Sequence, residues 1–148
     1  MTANAFMSAS LSPPLVVVGV RREARLHSAF ARSDGYGVSI LPARLEREAR
    51  RFAGLPVGPH GQEPGFVERG GVPILEGALA WLATRLVAAH PAGDHTLFVA
   101  EVVELGVDDG DAVPLVFFRS AFTRVEPTTE EPVAIDPWGF PGASDLWG

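Results

Sequence analysis

The apolar residues of this chain fall mainly into short runs separated by glycine, proline and charged residues. Residues 13–20 and 36–41 are two such runs, and a third begins at Thr96, just after a Gly-Asp pair. Each run is short and rich in β-branched or aromatic residues, so all three are predicted to be strands. Residues 113–118 predict a further strand by the same pattern.

Two other segments have the periodicity of a helix. Residues 22–35 predict a short amphipathic helix, because apolar side chains recur there at i, i+3 and i+4. Residues 42–54 predict the clearest helix of the chain: it begins at a proline, Glu46 can pair with Arg50 one turn on, and Gly54 supplies its end.

The middle of the chain is harder to interpret. Residues 55–71 are rich in glycine and proline and predict a long surface loop, of the kind that often forms a lid or a binding segment. The segment that follows is ambiguous between helix and strand on periodicity alone. We expect a helical turn over residues 75–80 that leads into a strand ending at Leu86. An acidic turn is expected at residues 108–111.

The elements together predict a mainly β fold with short helices, a β-barrel with helical additions. The 148 residues have the length of one ordinary domain. Residues 126–148 are too polar and too interrupted by proline to form another, so the domain is predicted to span residues 1–125, followed by a proline-rich tail. Phe117 and Phe118 are expected at core and partner-facing positions of their strand.

Composition excludes several classes of function. A net charge of -6 at pH 7 argues against binding to the nucleic-acid backbone. No apolar run is long enough to cross a bilayer and the first residues lack the charge of a secretory signal, so we expect no membrane segment and a cytoplasmic location. The chain has no cysteine, which removes thiolate catalysis. The 4 histidines show no close ligand spacing, so no metal site is predicted.

Four segments, in this order, carry a resemblance to a known family. They are MTANAFMSASLSPPLVVVGV at the start, FAG at residues 52–54, GGVPILEGALA from Gly70, and AGDHTLFVAEV with PLVFFRSAF after it. The chain resembles the short-chain flavin reductases with the FMN-binding split-barrel fold, which are reductase components of two-component flavin-dependent aromatic monooxygenases. The likeness covers about residues 1–122, and TANAFMS and GDHTLF at this separation are together quite specific.

The resemblance implies an enzyme, an NAD(P)H-dependent flavin reductase. It would transfer a hydride from nicotinamide to flavin N5 and supply the reduced flavin to a partner monooxygenase. The cofactor is FMN or FAD and the co-substrate NADH or NADPH, and a homodimer with the flavin near its interface is expected. The alternative is a flavin-binding or structural split-barrel module without turnover.

The resemblance also implies which residues hold the flavin. Short polar side chains crowd the first ten residues and suit the acceptors and the N–H group of the isoalloxazine edge, while an arginine suits a phosphate dianion. The N-terminal residues would line the ring and the ribityl chain, and the serines and the arginine would approach the phosphate. The predicted set is Thr2, Ala3, Asn4, Ala5, Ser8, Ser10 and Arg25. Without the family context, the same residues are typical of turns, caps and a solvated helix charge.

His95 is the predicted catalytic-site residue. A histidine beside a strand is most often a hydrogen-bonded structural residue, and a metal ligand is less common still. By the resemblance, however, the histidine of GDH lies beside the flavin where the nicotinamide docks. Its role would be to orient NAD(P)H, since the cofactors carry the hydride chemistry. Asp94 either holds this ring or caps the turn, and the turn is the favoured interpretation.

The resemblance also shows a difference from the family at the N-terminus. The family's domain begins with two strands before the MTANAF motif, whereas Met1 is the methionine of that motif here. The expected barrel is therefore N-terminally truncated, with an exposed sheet edge. Three explanations are open: an internal start in a longer protein, completion of the barrel by a partner or by the tail, or a fold that has lost its cofactor.

Overall fold

The structure, a computed structural model, describes residues 1–3, 5–58, 63–107 and 112–125. Within these ranges the chain is mainly β, as predicted. Five strands form one antiparallel sheet in the order β1–β2–β7–β6–β3, and two hairpins, β4–β5 and β8–β9, lie beside it. The strands are β1 (Phe6–Leu11), β2 (Pro14–Arg21), β3 (Gly37–Ile40), β4 (Phe66–Arg69), β5 (Val72–Leu75), β6 (Ala80–Ala92), β7 (His95–Val107), β8 (Leu115–Phe118) and β9 (Ala121–Arg124).

β2 shows why an apolar run forms the middle of this sheet. Its buried residues Val16, Val18 and Val20 alternate with half-buried ones, because successive side chains of a strand point to opposite faces. The strand pairs with β1 on one side and with β7 on the other. The strands predicted at residues 13–20 and 36–41, and the strand start predicted at Thr96, are confirmed to within one residue. The strand predicted at residues 113–118 is two residues shorter, because it begins at Leu115.

The two short helices are confirmed with changed bounds. α1 (His27–Phe30) is a single turn, and α2 (Glu46–Phe52) follows a 3-10 turn at Ala43–Leu45. On α2, Arg50 Nε lies 2.7 Å from Glu46 Oε1, which confirms the predicted pair. Gly54 ends the helix in the left-handed conformation, with φ 74°.

The predictions for the middle of the chain were wrong in two places. The loop expected over residues 55–71 contains β4 from Phe66 onward, and Gly70–Gly71, both at positive φ, turn the chain back into β5. Residues 75–80 form no helical turn, because β5 extends to Leu75 and a short turn leads into β6.

Tertiary packing explains these errors. The short hairpin strands are stabilised by each other and by Val67 and Ile74, which pack with Ala83 and Trp81 of β6. β6 itself continues to Ala92 rather than ending at Leu86, because it pairs with β7 along its whole length. None of these partners is visible in local periodicity.

One face of the main sheet carries the core, and we call it the inner face. The inner-face side chains contact one another and Phe30 of α1, whose ring lies 5.4 Å from that of Phe98. The buried members are Val18, Val20, Tyr36, Phe98 and Ala100. We call the opposite face, which carries Gly19, His95 and Leu97, the outer face.

The β8–β9 hairpin corrects another expectation. Phe117 and Phe118 are 51% and 61% exposed, so neither lies in the core of this chain. The hairpin turns at Arg119 and Ser120, both at positive φ, and it projects beside the sheet rather than into it. Contact with a partner stays a prediction.

Some predictions fall outside the described residues. These are the acidic turn at 108–111, the tail at 126–148 and the role of Asn4. Among the helices in the described ranges, none is long and apolar enough to span a membrane.

Candidate functional site

The N-terminal segment, by which we mean the described residues Thr2, Ala3 and Ala5, is hydrogen-bonded to α2 and to β2. At one end, the Thr2 amide donates to the carbonyl of Phe52 at 3.2 Å, and its hydroxyl donates to that of Ala49 at 2.6 Å. At the other end, the Gly19 amide donates to the carbonyl of Ala5 at 2.8 Å. The segment is thus tied down on both sides, and the Thr2 hydroxyl keeps only its acceptor capacity for a ligand.

Gly19 makes this arrangement possible, and the sequence analysis missed it. A Cβ atom at Gly19 would lie 3.3 Å from the Cβ of Ala5 and 3.7 Å from Cδ2 of Leu97. Even an alanine at this position would therefore crowd Ala5 and force a shift of a few tenths of an ångström, and a larger side chain would need more room. The signal was present, because an isolated glycine inside an apolar strand often marks a close backbone approach.

The residues predicted for the phosphate lie towards opposite ends of β2. Ser8 pairs with Val16 and is exposed, and Ser10 is half-buried one step nearer the β1–β2 turn. Arg25 is exposed and follows the other end of β2, beyond Arg21. At about 3.3 Å per residue, Val16 and Arg21 are roughly 17 Å apart. The structure does not bring the serines and Arg25 together within this chain.

His95 is the first residue of β7, directly after the two-residue turn that joins it to β6. Its side chain is 39% exposed, and its Nδ1 lies 2.7 Å from Oδ1 of Asp94. The other carboxylate oxygen of Asp94 lies 3.4 Å from Nε of Arg21. The hydrogen bond and charge of His95 and, to a lesser extent, the hydrogen bond from Arg21 hold the pKa of the Asp94 carboxyl below its usual value.

Asp94 therefore has two roles in the structure. It forms the β6–β7 turn with Gly93, whose φ of 60° favours glycine, and its carboxylate also holds the His95 ring. The preference for the turn alone was incomplete, because sequence spacing could not show where the carboxylate points.

The N-terminal segment and His95 meet on the outer face of the sheet. Gly19 pairs with Leu97, and Arg21 pairs with His95, so all four side-chain positions share this face. Two residues along a strand correspond to about 7 Å. The Ala5–Gly19 contact and the His95 ring are therefore neighbouring features of one surface.

This surface is open rather than enclosed. Two hollows of about 400 and 370 Å³ lie beside α2, and neither is lined by His95 or by the N-terminal segment. They share Glu46, and the second lies against β9. A flat ring bound at the outer face would need a further surface to cover it.

The residues present fit a flavin. The side chains of Ala3 and Ala5 are small and exposed, which leaves peptide groups accessible to the polar edge of an isoalloxazine ring. Ser8 is exposed, and its hydroxyl makes no hydrogen bond to the described residues. Within the described ranges, no group of three or more histidine, aspartate or glutamate side chains gathers as a metal site would require.

Comparison with known proteins decides the family. The family described as "Flavin reductase like domain" matches residues 1–126. This chain belongs to the flavin reductase-like family. It is 46% identical over 140 residues to an NADH-dependent flavin reductase of a Rhodococcus species, a match that covers 95% of this chain and 75% of the relative. It is 41% identical to the reductase component of 4-hydroxyphenylacetate 3-monooxygenase from Thermus thermophilus, over 84% of this chain and 78% of that protein.

Solved structures of flavin reductases have the same fold. The flavin reductase PheA2 superposes with a TM-score of 0.79 at 35% identity, over 86% of this chain and 80% of that one. The NADH:FAD oxidoreductase SgcE6 of Streptomyces globisporus, in complex with NAD and FAD fragments, superposes with a TM-score of 0.77 at 32% identity, over 88% of this chain and 79% of that one.

These matches confirm the family, the split-barrel fold class and, at the level of the family, an oxidoreductase that uses NADH and a flavin. The individual site residues remain predictions. Of these residues, Ala5 and His95 lie on the outer face around Gly19. Ser8 instead pairs with Val16 and so shares the face of the buried valines of β2.

Proposed function

We propose that this flavin reductase-like chain is an NADH-dependent flavin reductase that supplies reduced FMN or FAD to a partner monooxygenase. The observation that carries the proposal is the outer face around Gly19, where the N-terminal segment and His95 lie side by side. The names of the relatives support NADH rather than NADPH as the electron donor.

A bound flavin would supply the redox chemistry by accepting a hydride from the reduced nicotinamide. The chain's own residues would bind the flavin and orient the nicotinamide. The peptide groups of Ala3 and Ala5 would meet the polar edge of the ring, and Ser8 and Ser10 would serve the phosphate. His95 would position the nicotinamide through its carboxamide, because hydride transfer requires placement and no proton from the protein.

The proposal includes a homodimer. The outer face and the neighbouring edge expose apolar side chains, among them Met7, Leu11 and Leu97, around an uncovered site. A second copy of the chain would cover these side chains and enclose the ring. The cytoplasm, which supplies NADH, is the proposed compartment.

The monooxygenase partner rests on relatives. Both the Thermus thermophilus protein and a Pseudomonas aeruginosa relative that is 30% identical are named as reductase components of 4-hydroxyphenylacetate 3-monooxygenase.

The test is NADH oxidation by the purified chain with FMN, with FAD and without flavin, together with its absorption spectrum and its mass in solution. We expect flavin-dependent oxidation by a dimer. A protein that binds flavin without oxidising NADH would instead be a binding module without turnover. A folded protein that binds neither flavin would overturn the proposal.

The His95→Ala variant sharpens this test. Loss of one hydrogen-bonding partner is worth about 1 to 1.5 kcal/mol, so the KM for NADH should rise about tenfold while the flavin Kd changes less than about twofold. His27→Ala is the matched control, because His27 lies on the inner face and should not alter this KM. Equal loss of flavin binding and stability in His95→Ala would make His95 structural.

A further inference from the structure

The end of β2 and the β6–β7 turn bring three ionisable side chains into a chain of contacts. Arg21 and His95 are directly paired residues of adjacent strands, so their side chains share the outer face. Asp94 lies between them, with Oδ2 at 3.4 Å from Arg21 Nε and Oδ1 at 2.7 Å from His95 Nδ1. The Arg22 amide fixes the turn itself by donating to the Asp94 carbonyl at 3.0 Å.

This geometry selects one tautomer of the neutral His95 ring. An ionised carboxylate only accepts hydrogen bonds, so Nδ1 must carry the proton that is donated to Asp94. In the neutral ring, Nε2 is then unprotonated and acts as an acceptor. Among the described residues, His95 Nε2 has no hydrogen-bond partner.

We propose that Arg21 is a positioning residue: it holds the Asp94 carboxylate and thereby keeps His95 in the Nδ1–H tautomer, which presents Nε2 as an acceptor to the carboxamide N–H of a nicotinamide. The proposal rests on the proposed function and names a residue that acts on the nicotinamide through two others. The lowered pKa of Asp94 agrees with it, since the carboxyl stays ionised across the neutral range.

The expected effect is modest. The side chains of Arg21 and Asp94 are 63% and 66% exposed, and exposed ion pairs are weak. Arg21 therefore biases an orientation that Asp94 provides. We therefore expect the loss of Arg21 to change the KM for NADH by a few fold rather than to abolish activity.

The chain offers a matched control beside Arg21. Arg22 is also exposed and also an arginine, but its contact with Asp94 is made by its backbone, and its side chain makes no hydrogen bond or ion pair within the described ranges. Arg22→Ala removes the same charge from the same strand end without touching the carboxylate.

The first readout requires no turnover. The nitrogen shifts of the histidine rings, measured by NMR on the full chain without cofactors, report which nitrogen of His95 carries the proton. We expect the Nδ1–H form in the wild type and in Arg22→Ala, and an increased Nε2–H fraction in Arg21→Ala and Asp94→Ala. Asp94→Asn should keep much of the Nδ1–H form, because the amide oxygen still accepts.

The second readout is kinetic. Arg21→Ala should raise the KM for NADH about three- to fivefold, with kcat and the flavin Kd within about twofold of wild type, and Arg21→Lys should restore part of the loss. Adding Arg21→Ala to Asp94→Ala should have little further effect, because both act on His95 through one contact.

The two readouts separate the two hypotheses. If the chain oxidises no NADH with either flavin, the proposed function fails, while the His95 tautomer still decides whether Arg21 acts on the ring. An unchanged tautomer and an unchanged KM in Arg21→Ala would overturn the positioning role. Equal effects of Arg21→Ala and Arg22→Ala would overturn it too, because they would reduce Arg21 to a general surface charge.

Discussion

The two faces of the sheet around β2 and β7 differ far more in burial than in sequence. On the inner face Phe98 is fully buried, whereas its neighbour Leu97 on the outer face is 37% exposed. Both residues belong to one apolar run. The inner face is covered by α1 and the segment around Tyr36, and the outer face is left open beside the N-terminal segment. Buried and exposed positions therefore alternate at this point of the strand.

His27 and His95, which both lie near the β6–β7 turn, repeat this difference. His27 Nε2 lies 2.8 Å from the Thr96 hydroxyl, and its ring packs edge-on against Phe98 on the inner face. His95, one residue before Thr96, lies on the outer face, and among the described residues its ring is hydrogen-bonded to Asp94. One ring attaches a helix to the core, and the other is available to a ligand.

The strongest test of the comparison replaces the adjacent residues Phe98 and Leu97 by alanine. Phe98→Ala removes a fully buried ring and should lower the free energy of unfolding by about 3 to 5 kcal/mol. Leu97→Ala, at a half-exposed position, should cost less than about 1 kcal/mol. Urea unfolding of both variants measures the difference, and similar losses would mean that the outer face is as well packed as the inner one.

Gly19→Val tests the outer face as a binding surface. The new side chain would collide with Ala5 and displace the N-terminal segment, so the flavin Kd should rise about tenfold or more, roughly 1.4 kcal/mol. Gly58→Val is the control, since no heavy atom of the described residues, apart from its chain neighbours, lies within 4 Å of a Cβ at that position. Unchanged flavin titration of Gly19→Val would mean that the segment does not take part in binding.

His27→Ala tests the inner-face histidine. Loss of its hydrogen bond to Thr96 and of its contact with Phe98 should lower the free energy of unfolding by about 1 to 2 kcal/mol. Thermal or urea unfolding measures the loss. If His27→Ala left the free energy of unfolding unchanged and raised the KM for NADH, the roles assigned to the two rings would be reversed.

Tyr36 gives the most specific effect. Burial raises its pKa to about 12, and its hydroxyl donates to the Phe98 carbonyl at 3.2 Å. Since the unfolded group titrates near 10, stability should be unaffected by this residue below pH 10 and should fall as the pH rises from about 10 to 12. The urea midpoint against pH measures this slope.

The composition of the chain leaves few other side chains that titrate between pH 10 and 12. Tyr36 is its 1 tyrosine, and all 12 of its lysine-plus-arginine positions are arginines, so no lysine titrates in this range. Tyr36→Phe should remove the slope. A slope that persists in this variant would assign the alkaline loss of stability to another group.

Local sequence signals were sufficient where an element depends on its own residues. The run at 13–20, the helix around Glu46–Arg50 and the Gly-Asp turn before Thr96 were all predicted, because side-chain periodicity and turn chemistry act over a few residues. Local sequence signals did not predict β4 or the end of β6 at Ala92, because both features depend on pairing with other strands.

The sequence by itself determined the family, the mainly β class and His95 as the residue to examine, since its motifs are local and specific. Only the tertiary structure decided that Gly19 admits the N-terminal segment and that Arg21 reaches Asp94, 73 residues away. Strand pairing decides which face each residue shares. That register is set by burial of the whole inner face, which no short stretch of sequence contains.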